Sequence, residues 1–367
     1  MSLETQARSD KASTLAIAEP ILDTSEKTLL EKVLGNQALW VTLTLIILCI
    51  VGSVFQENYA SEDNFYNTTR NFAFIGIMAL GMTPVIIIGG IDLSVGSVMG
   101  IAAIVCGLVL LKQPIDWMPA WWNNALWAHT WWMAVILSLA AGALVGLING
   151  VLIAYVGLPP FVVTLGMLSA ARSVAVILSG NRMLYSFVPE QAKVLKSIGG
   201  ADNFGLGLPY QFRLSNPFLI LVVLTFILGI VLKMAGWGRH IFAIGGNEQA
   251  ANLTGVPVKR IKVQAYVLCS MSAALAGMLS IGLYGSANNS LGQGYELLAI
   301  ASAVIGGANL MGGEGTAFGA FIGAALIFVI RNLLLFLGFD SNWQGIFVGS
   351  FIVLAVVLEK VRGKRRE

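Results

Sequence analysis

GRHIFAIGGNEQAANLTGVPVKRIK, running from Gly238 to Lys262, is a polar island between two long apolar runs. Its residues spell out a short helix lying outside a bilayer. Asn247 suits an N-cap, its side-chain oxygen accepting from a free backbone N–H, and Glu248 places a negative charge at the positive end of the helix dipole. Ala250 and Ala251 favour helix and leave a low, smooth face. Gly255 supplies a left-handed stop, and Pro257 suits the first turn of a following helix. The result is about two turns, too short to hold together alone in water. Arg239, His240, Lys259, Arg260 and Lys262 outnumber Glu248, and short loops rich in Lys and Arg stay on the cytoplasmic side. The island is either a contact surface for another protein or a plain positive-inside loop, and these residues alone leave both open.

Outward from the island the chain is apolar. Of 367 residues 57% are hydrophobic and 11% charged, more apolar surface than a soluble fold of this size can hide. Ten apolar segments are expected, at 38–55, 72–90, 97–112, 132–155, 160–180, 217–235, 262–284, 296–311, 315–337 and 342–360, most of them long enough to cross a hydrocarbon core of about 30 Å. The fold class is therefore all-α and polytopic, with about ten transmembrane helices. An even count places both ends on one side. The basic tail (Lys360, Arg362, Lys364, Arg365, Arg366) and the island at 238–262 make that side the cytoplasm. The domains are then an N-terminal cytoplasmic extension at 1–37, a transmembrane domain at 38–361 and a basic tail at 362–367. Residues 1–37 lack the cationic-then-apolar order of a cleaved signal, and 27–34 suit an interfacial amphipathic turn. The loop from Lys112 to Thr130, with Trp117, Trp121, Trp122 and Trp127, falls outside, its tryptophans suited to an interfacial anchor more than to a sugar-stacking platform. The net charge of +3 reflects the cytoplasmic loops and gives no sign of nucleic-acid binding. Cys49, Cys106 and Cys269 sit singly in apolar runs without metal-type spacing.

A second polar interruption lies at Gly89-Gly90-Ile91-Asp92-Leu93-Ser94-Val95-Gly96-Ser97. Backbone released from helix near the membrane must be satisfied by protein or by a wet cavity, so this break marks a pathway or a tight crossing. Asp92 and Ser94 also suit helix capping. Ile305-Gly306-Gly307-Ala308-Asn309-Leu310 echoes Ile88-Gly89-Gly90-Ile91-Asp92-Leu93, as expected of two related halves around a central path. Gly142, Gly146 and Gly150 in one segment, and Gly319 and Gly323 in another, allow close helix approach. Arg331 can snorkel outward, whereas Arg172 sits deeper and needs backbone carbonyls or a carboxylate such as Asp92 or Glu296. Asn149, Thr164, Glu296 and Asn309 complete the polar side chains suited either to interhelical hydrogen bonds or to a route for a hydroxylated solute. No Gly-x-x-x-x-Gly-Lys-Ser/Thr occurs in the sequence. Its two histidines, His129 and His240, fall in opposite loops, so they build neither a metal cluster nor a catalytic triad.

GGIDLSVGS at 89–97, the island at 238–262 and AIASAVIGGANLMGGEGT at 299–316 resemble, in order and spacing, the membrane-spanning permease of ribose-type ABC sugar importers, over about residues 40–360. The resemblance implies a non-enzymatic permease subunit in the inner membrane of a bacterium. It would act with a second permease copy, cytoplasmic ATPase subunits that bind ATP and Mg, and a periplasmic sugar-binding protein, and have no cofactor of its own. It implies that Gly245, Gly246, Asn247, Glu248, Ala250, Ala251, Gly255 and Val256 dock into the ATPase, whose closure drives alternating access for a monosaccharide or related polyol. The long Trp-rich outer loop and the polar N-terminal extension depart from the family pattern. The competing reading is an ion-coupled secondary transporter working without an ATPase, for which Asp92 and Glu296 are the available intramembrane carboxylates.

Overall fold

A computed structural model describes residues 37–111, 130–200, 213–340 and five residues between 343 and 350. The N-terminal extension, the Trp117–Trp127 loop, the basic tail and most of the tenth apolar segment lie outside the described residues.

Within them the chain is helical. The helices are α1 (Gln37–Phe55), α2 (Glu62–Ile87), α3 (Val95–Leu110), α4 (Trp131–Val151, continued by a π turn at Leu152–Val156), α5 (Pro160–Ser179), α6 (Pro189–Gly199), α7 (Asn216–Met234), α8 (Gly236–Gly246), α9 (Glu248–Leu253), α10 (Val258–Tyr284), α11 (Tyr295–Ile305) and α12 (Ala317–Phe336). Seven are long and apolar enough to span a membrane, whereas α3 and α11 are apolar but shorter. The protein is an all-α polytopic membrane protein.

Burial runs opposite to the expectation for a soluble bundle. The spanning stretch of α2 is 89% buried, while that of the very apolar α1 is only 11% buried. Ile46, Ile47, Ile50 and Val54 on α1 and Phe226, Ile227 and Ile230 on α7 point outward, a face suited to lipid tails. α2 and α10 form the centre. α10 packs along α4, α3 and α2, and α12 closes the other flank against α2, α11 and α1. Without a hydrophobic drive between helices in lipid, close backbone approach has to do this work. The small-residue stripe supplies it: a Cβ on Gly142, Gly146 or Gly150 would lie 2.5 Å from Ala274, 2.6 Å from the Tyr266 carbonyl and 2.7 Å from Val263 Cα, all on α10.

Three boundaries differ from the sequence expectation. α2 begins at Glu62, ten residues before the apolar run. Ser61 caps it, accepting from the Asn64 N–H at 3.2 Å, and acidic Glu62 and Asp63 fill its first turn, features a hydropathy reading passes over. The expected 296–311 segment stops at Ile305, where Gly307 (φ +101°) turns the chain left-handed. The island at 238–262 holds two helices instead of one. α8 turns back sharply from α7, with Ile241 and Ile244 buried one turn apart and Arg239 and Ala243 outward.

Gln37 donates to the carbonyls of Val304 and Ile305 and packs on Gly307. The start of α1 therefore lies at the same end of the bundle as α8 and α9. The opposite end is tied by bridges from Leu111 to Phe187 and from Leu184 to Ala287.

Candidate functional site: a protruding elbow and two membrane breaks

At the α9 end the chain forms an elbow. The Asn247 side chain accepts from the Ala250 N–H at 2.9 Å, as an N-cap should, and Glu248 begins the six-residue α9. Gly255 (φ +85°) ends it. Pro257 is the residue before α10, one position earlier than the sequence reading placed it. Glu248 also bonds the Lys262 ammonium at 2.7 Å, clamping α9 to the first turns of α10. Gly246, Asn247, Glu248, Ala250 and Gly255 are exposed, and Gly245 and Val256 are half-buried. Ala251 is buried against the core, so it supports the elbow and takes no part in the outward face. The residue that dominates that face is Leu253, 87% exposed at the tip. Sequence reading passed over it, because a leucine beside apolar segments carries no local signal of protrusion.

The first break follows α2. Gly89 (φ +75°) ends the helix in a Schellman turn, with Gly90 N–H bonding the Val85 carbonyl. Asp92 Oδ1 then accepts from both the N–H and the hydroxyl of Ser94, at 2.9 and 2.6 Å, setting the chain to re-enter helix at Val95. Asn149 of α4 donates to Ser94 Oγ at 3.0 Å, and Thr164 of α5 lies against the Ile91 carbonyl. Asp92, Ser94, Asn149 and Thr164 are all fully buried. They form one polar knot that pins the break to α4 and α5. Two residues absent from the sequence reading belong to it: Tyr266 and Ser270, one turn apart on α10 and also buried. The Tyr266 hydroxyl lies 2.5 Å from where a Cβ on Gly90 would stand.

The second break repeats this pattern, its left-handed turn one residue later than the sequence echo suggests and its Asn309 turn in register with that of Asp92. Ala308 N–H bonds the Ala303 carbonyl across Gly307, and Asn309 Oδ1 accepts from the Met311 N–H at 2.8 Å, as Asp92 does from Ser94. The two breaks touch. Gly313 N–H donates to the Ile87 carbonyl at 2.8 Å, and Gly245 of α8 packs where they meet; a Cβ there would stand 1.8 Å from the Ile87 carbonyl and 2.5 Å from Gly313 N. Elbow and breaks thus share one backbone junction.

Arg172 and Glu296 lie elsewhere. The Arg172 guanidinium donates to the carbonyls of Asn289 and Leu291, at 2.6 and 2.8 Å; of the partners expected for it, carbonyls are the ones it bonds. Glu296 accepts from the Gly294 N–H at 3.2 Å and its other oxygen packs on Gly96, at the start of α3. Arg331 lies over the Phe328 ring.

Residues 64–356 match the family described as branched-chain amino acid transport system, permease component. The chain belongs to this permease family. The ribose import permease of Haemophilus influenzae is 33% identical over 88% of this permease and 93% of its own length. The fructose import permease of Rhizobium meliloti is 31% identical over 92% and 90%. The protein named "Probable ABC transporter permease protein y4mJ" of Sinorhizobium fredii is 36% identical over 88% and 89%. No solved structure matches the permease.

Proposed function

We propose that the permease is the membrane subunit of an ATP-driven importer for a monosaccharide or related polyol, in the cytoplasmic membrane of a bacterium. A separate ATPase subunit seats on the α8–α9 elbow from the cytoplasm, where both chain termini lie. A periplasmic binding protein delivers the solute to two permease copies, and closure of the ATPase pair switches the access side. The observation carrying this reading is Leu253, an 87% exposed leucine on a capped two-turn helix at one end of the bundle. So large an apolar side chain on a helix too short to stand alone calls for a protein partner. The names of the ribose and fructose relatives supply the substrate class. Against the ion-coupled alternative, Asp92 and Glu296 both accept hydrogen bonds from neighbouring backbone and serve local structure.

The test is co-purification of the permease with an ABC ATPase subunit co-expressed with it. Leu253→Asp should abolish ATPase retention while leaving the detergent-solubilised permease monodisperse. Full retention by Leu253→Asp would contradict docking at the elbow.

A further inference from the structure

The segment between α10 and α11 reads in sequence as a loop outside the membrane. In the structure it descends. Ala287 packs against Gly107, the carbonyls of Asn289 and Leu291 lie at Gly100, and Gly292 lies against Gly96. From Gly107 to Gly96 is eleven residues of helix, about 16 Å at 1.5 Å per residue. The α5 helix gives the scale: its last residues lie beside Asn289, whose amide donates to Ser179 Oγ and Asn181 Oδ1, and its first turn lies beside the first break. Residues 287–292 therefore run from the rim to about the middle of a core about 30 Å thick. There α11 begins, close to the start of α3, with Glu296 between the two half-helices.

Irregular backbone at this depth persists only where protein covers it or water reaches it. One side is covered by α3 and strapped by Arg172. The other side carries Asn288, Ser290 and Gln293, all exposed. Asn288 lies near the rim, but Ser290 and Gln293 lie below it, where neutral hydrogen-bonding side chains facing lipid tails would be costly, unlike the apolar outer faces of α1 and α7. We propose that the exposed side of residues 288–293 is the wall of the solute route, presenting amide and hydroxyl groups to a neutral, hydroxylated solute. The cation of Arg172 is held by backbone carbonyls on the covered side, so the exposed set has no charge to offer an amino acid's carboxylate. This assignment rests on the transport reading above and names the place where cargo passes.

The experiment is thiol accessibility in the assembled transporter within its membrane, on a background with Cys49, Cys106 and Cys269 replaced. A membrane-impermeant maleimide should modify Ser290→Cys and Gln293→Cys, and each adduct should block uptake. Phe226→Cys and Ile227→Cys, also exposed in the isolated chain but on the apolar α7 face, should stay unmodified. Two independent positions guard against one variant failing to assemble. Ser290→Cys and Gln293→Cys as unreactive as the α7 variants would mean that lipid or a partner chain covers the segment, and would overturn the proposal. Modification without loss of uptake would also overturn it, by making the space a dead-end crevice. If uptake instead persists without any ATPase, the ATP-driven reading fails while the labelling pattern still decides the route.

Discussion

The Asp92 carboxyl holds a buried turn together at the cost of placing an ionisable group in the membrane. Asp92→Ala would strip partners from the Ser94 N–H and hydroxyl, and leaving buried groups unpaired costs about 1–3 kcal/mol each. Asp92→Asn keeps the accepting oxygen. We expect a lowered thermal unfolding midpoint in detergent for Asp92→Ala and recovery of most of that loss in Asp92→Asn; equal midpoints for Asp92→Ala and the native chain would contradict the knot. Arg172→Ala releases the two carbonyls it straps, and the expected outcome is reduced uptake at near-normal expression, read by transport assay beside a blot. At this scale the sequence was partly legible. Asp92, Ser94 and Asn149 stood out because polar groups in apolar runs are rare, and they do assemble. Tyr266, Ser270 and Leu253 did not, because a tyrosine or serine on a long helix and a leucine anywhere look ordinary until the neighbouring helix is known.

Helices meet here through glycine, so the glycines sort the element-scale predictions. Gly146→Leu would force α4 from the α10 backbone, since even a Cβ there would stand 2.6 Å from the Tyr266 carbonyl, and overpacking of this kind costs about 1–3 kcal/mol. Gly166→Ala on α5 has open space around its Cβ and should leave the unfolding midpoint unchanged or raised. The junction of elbow and breaks gives a sharper pair. A Cβ at Gly245 collides with the Ile87 carbonyl, whereas one at Gly246 meets nothing within 4 Å. If the elbow drives the breaks through this contact, Gly245→Ala should keep the ATPase bound and lower uptake about tenfold or more, with Gly246→Ala near the native rate. Equal uptake by the two variants would remove the junction from the coupling path. The sequence made nine of the ten apolar segments legible as helices within the described residues. It missed α6, whose mixed polar residues carry no long apolar run, α8, whose Ile241 and Ile244 spacing is too short a pattern among basic residues, and the descent of 287–292, since Asn, Ser and Gly together normally mark an exposed loop.

Over the described residues the molecule is a helical bundle with apolar outer faces and a short exposed helix, α9, at one end. Its breaks echo each other in register at Asp92 and Asn309 but not at the turn, where the left-handed glycine is the first of its pair in one break and the second in the other. Two breaks and the elbow converge on Ile87, Gly313 and Gly245, so an ATPase seated on the elbow as proposed would have one place to act on both breaks. The decisive measurement is uptake of labelled pentoses and hexoses into proteoliposomes containing the permease with the ATPase and the sugar-binding protein proposed for it, with ATP supplied on the side of the elbow. Uptake should require both ATP and the ATPase and should vanish with Leu253→Asp. Uptake by the permease alone under an ion gradient, or native rates for Leu253→Asp, would contradict the account.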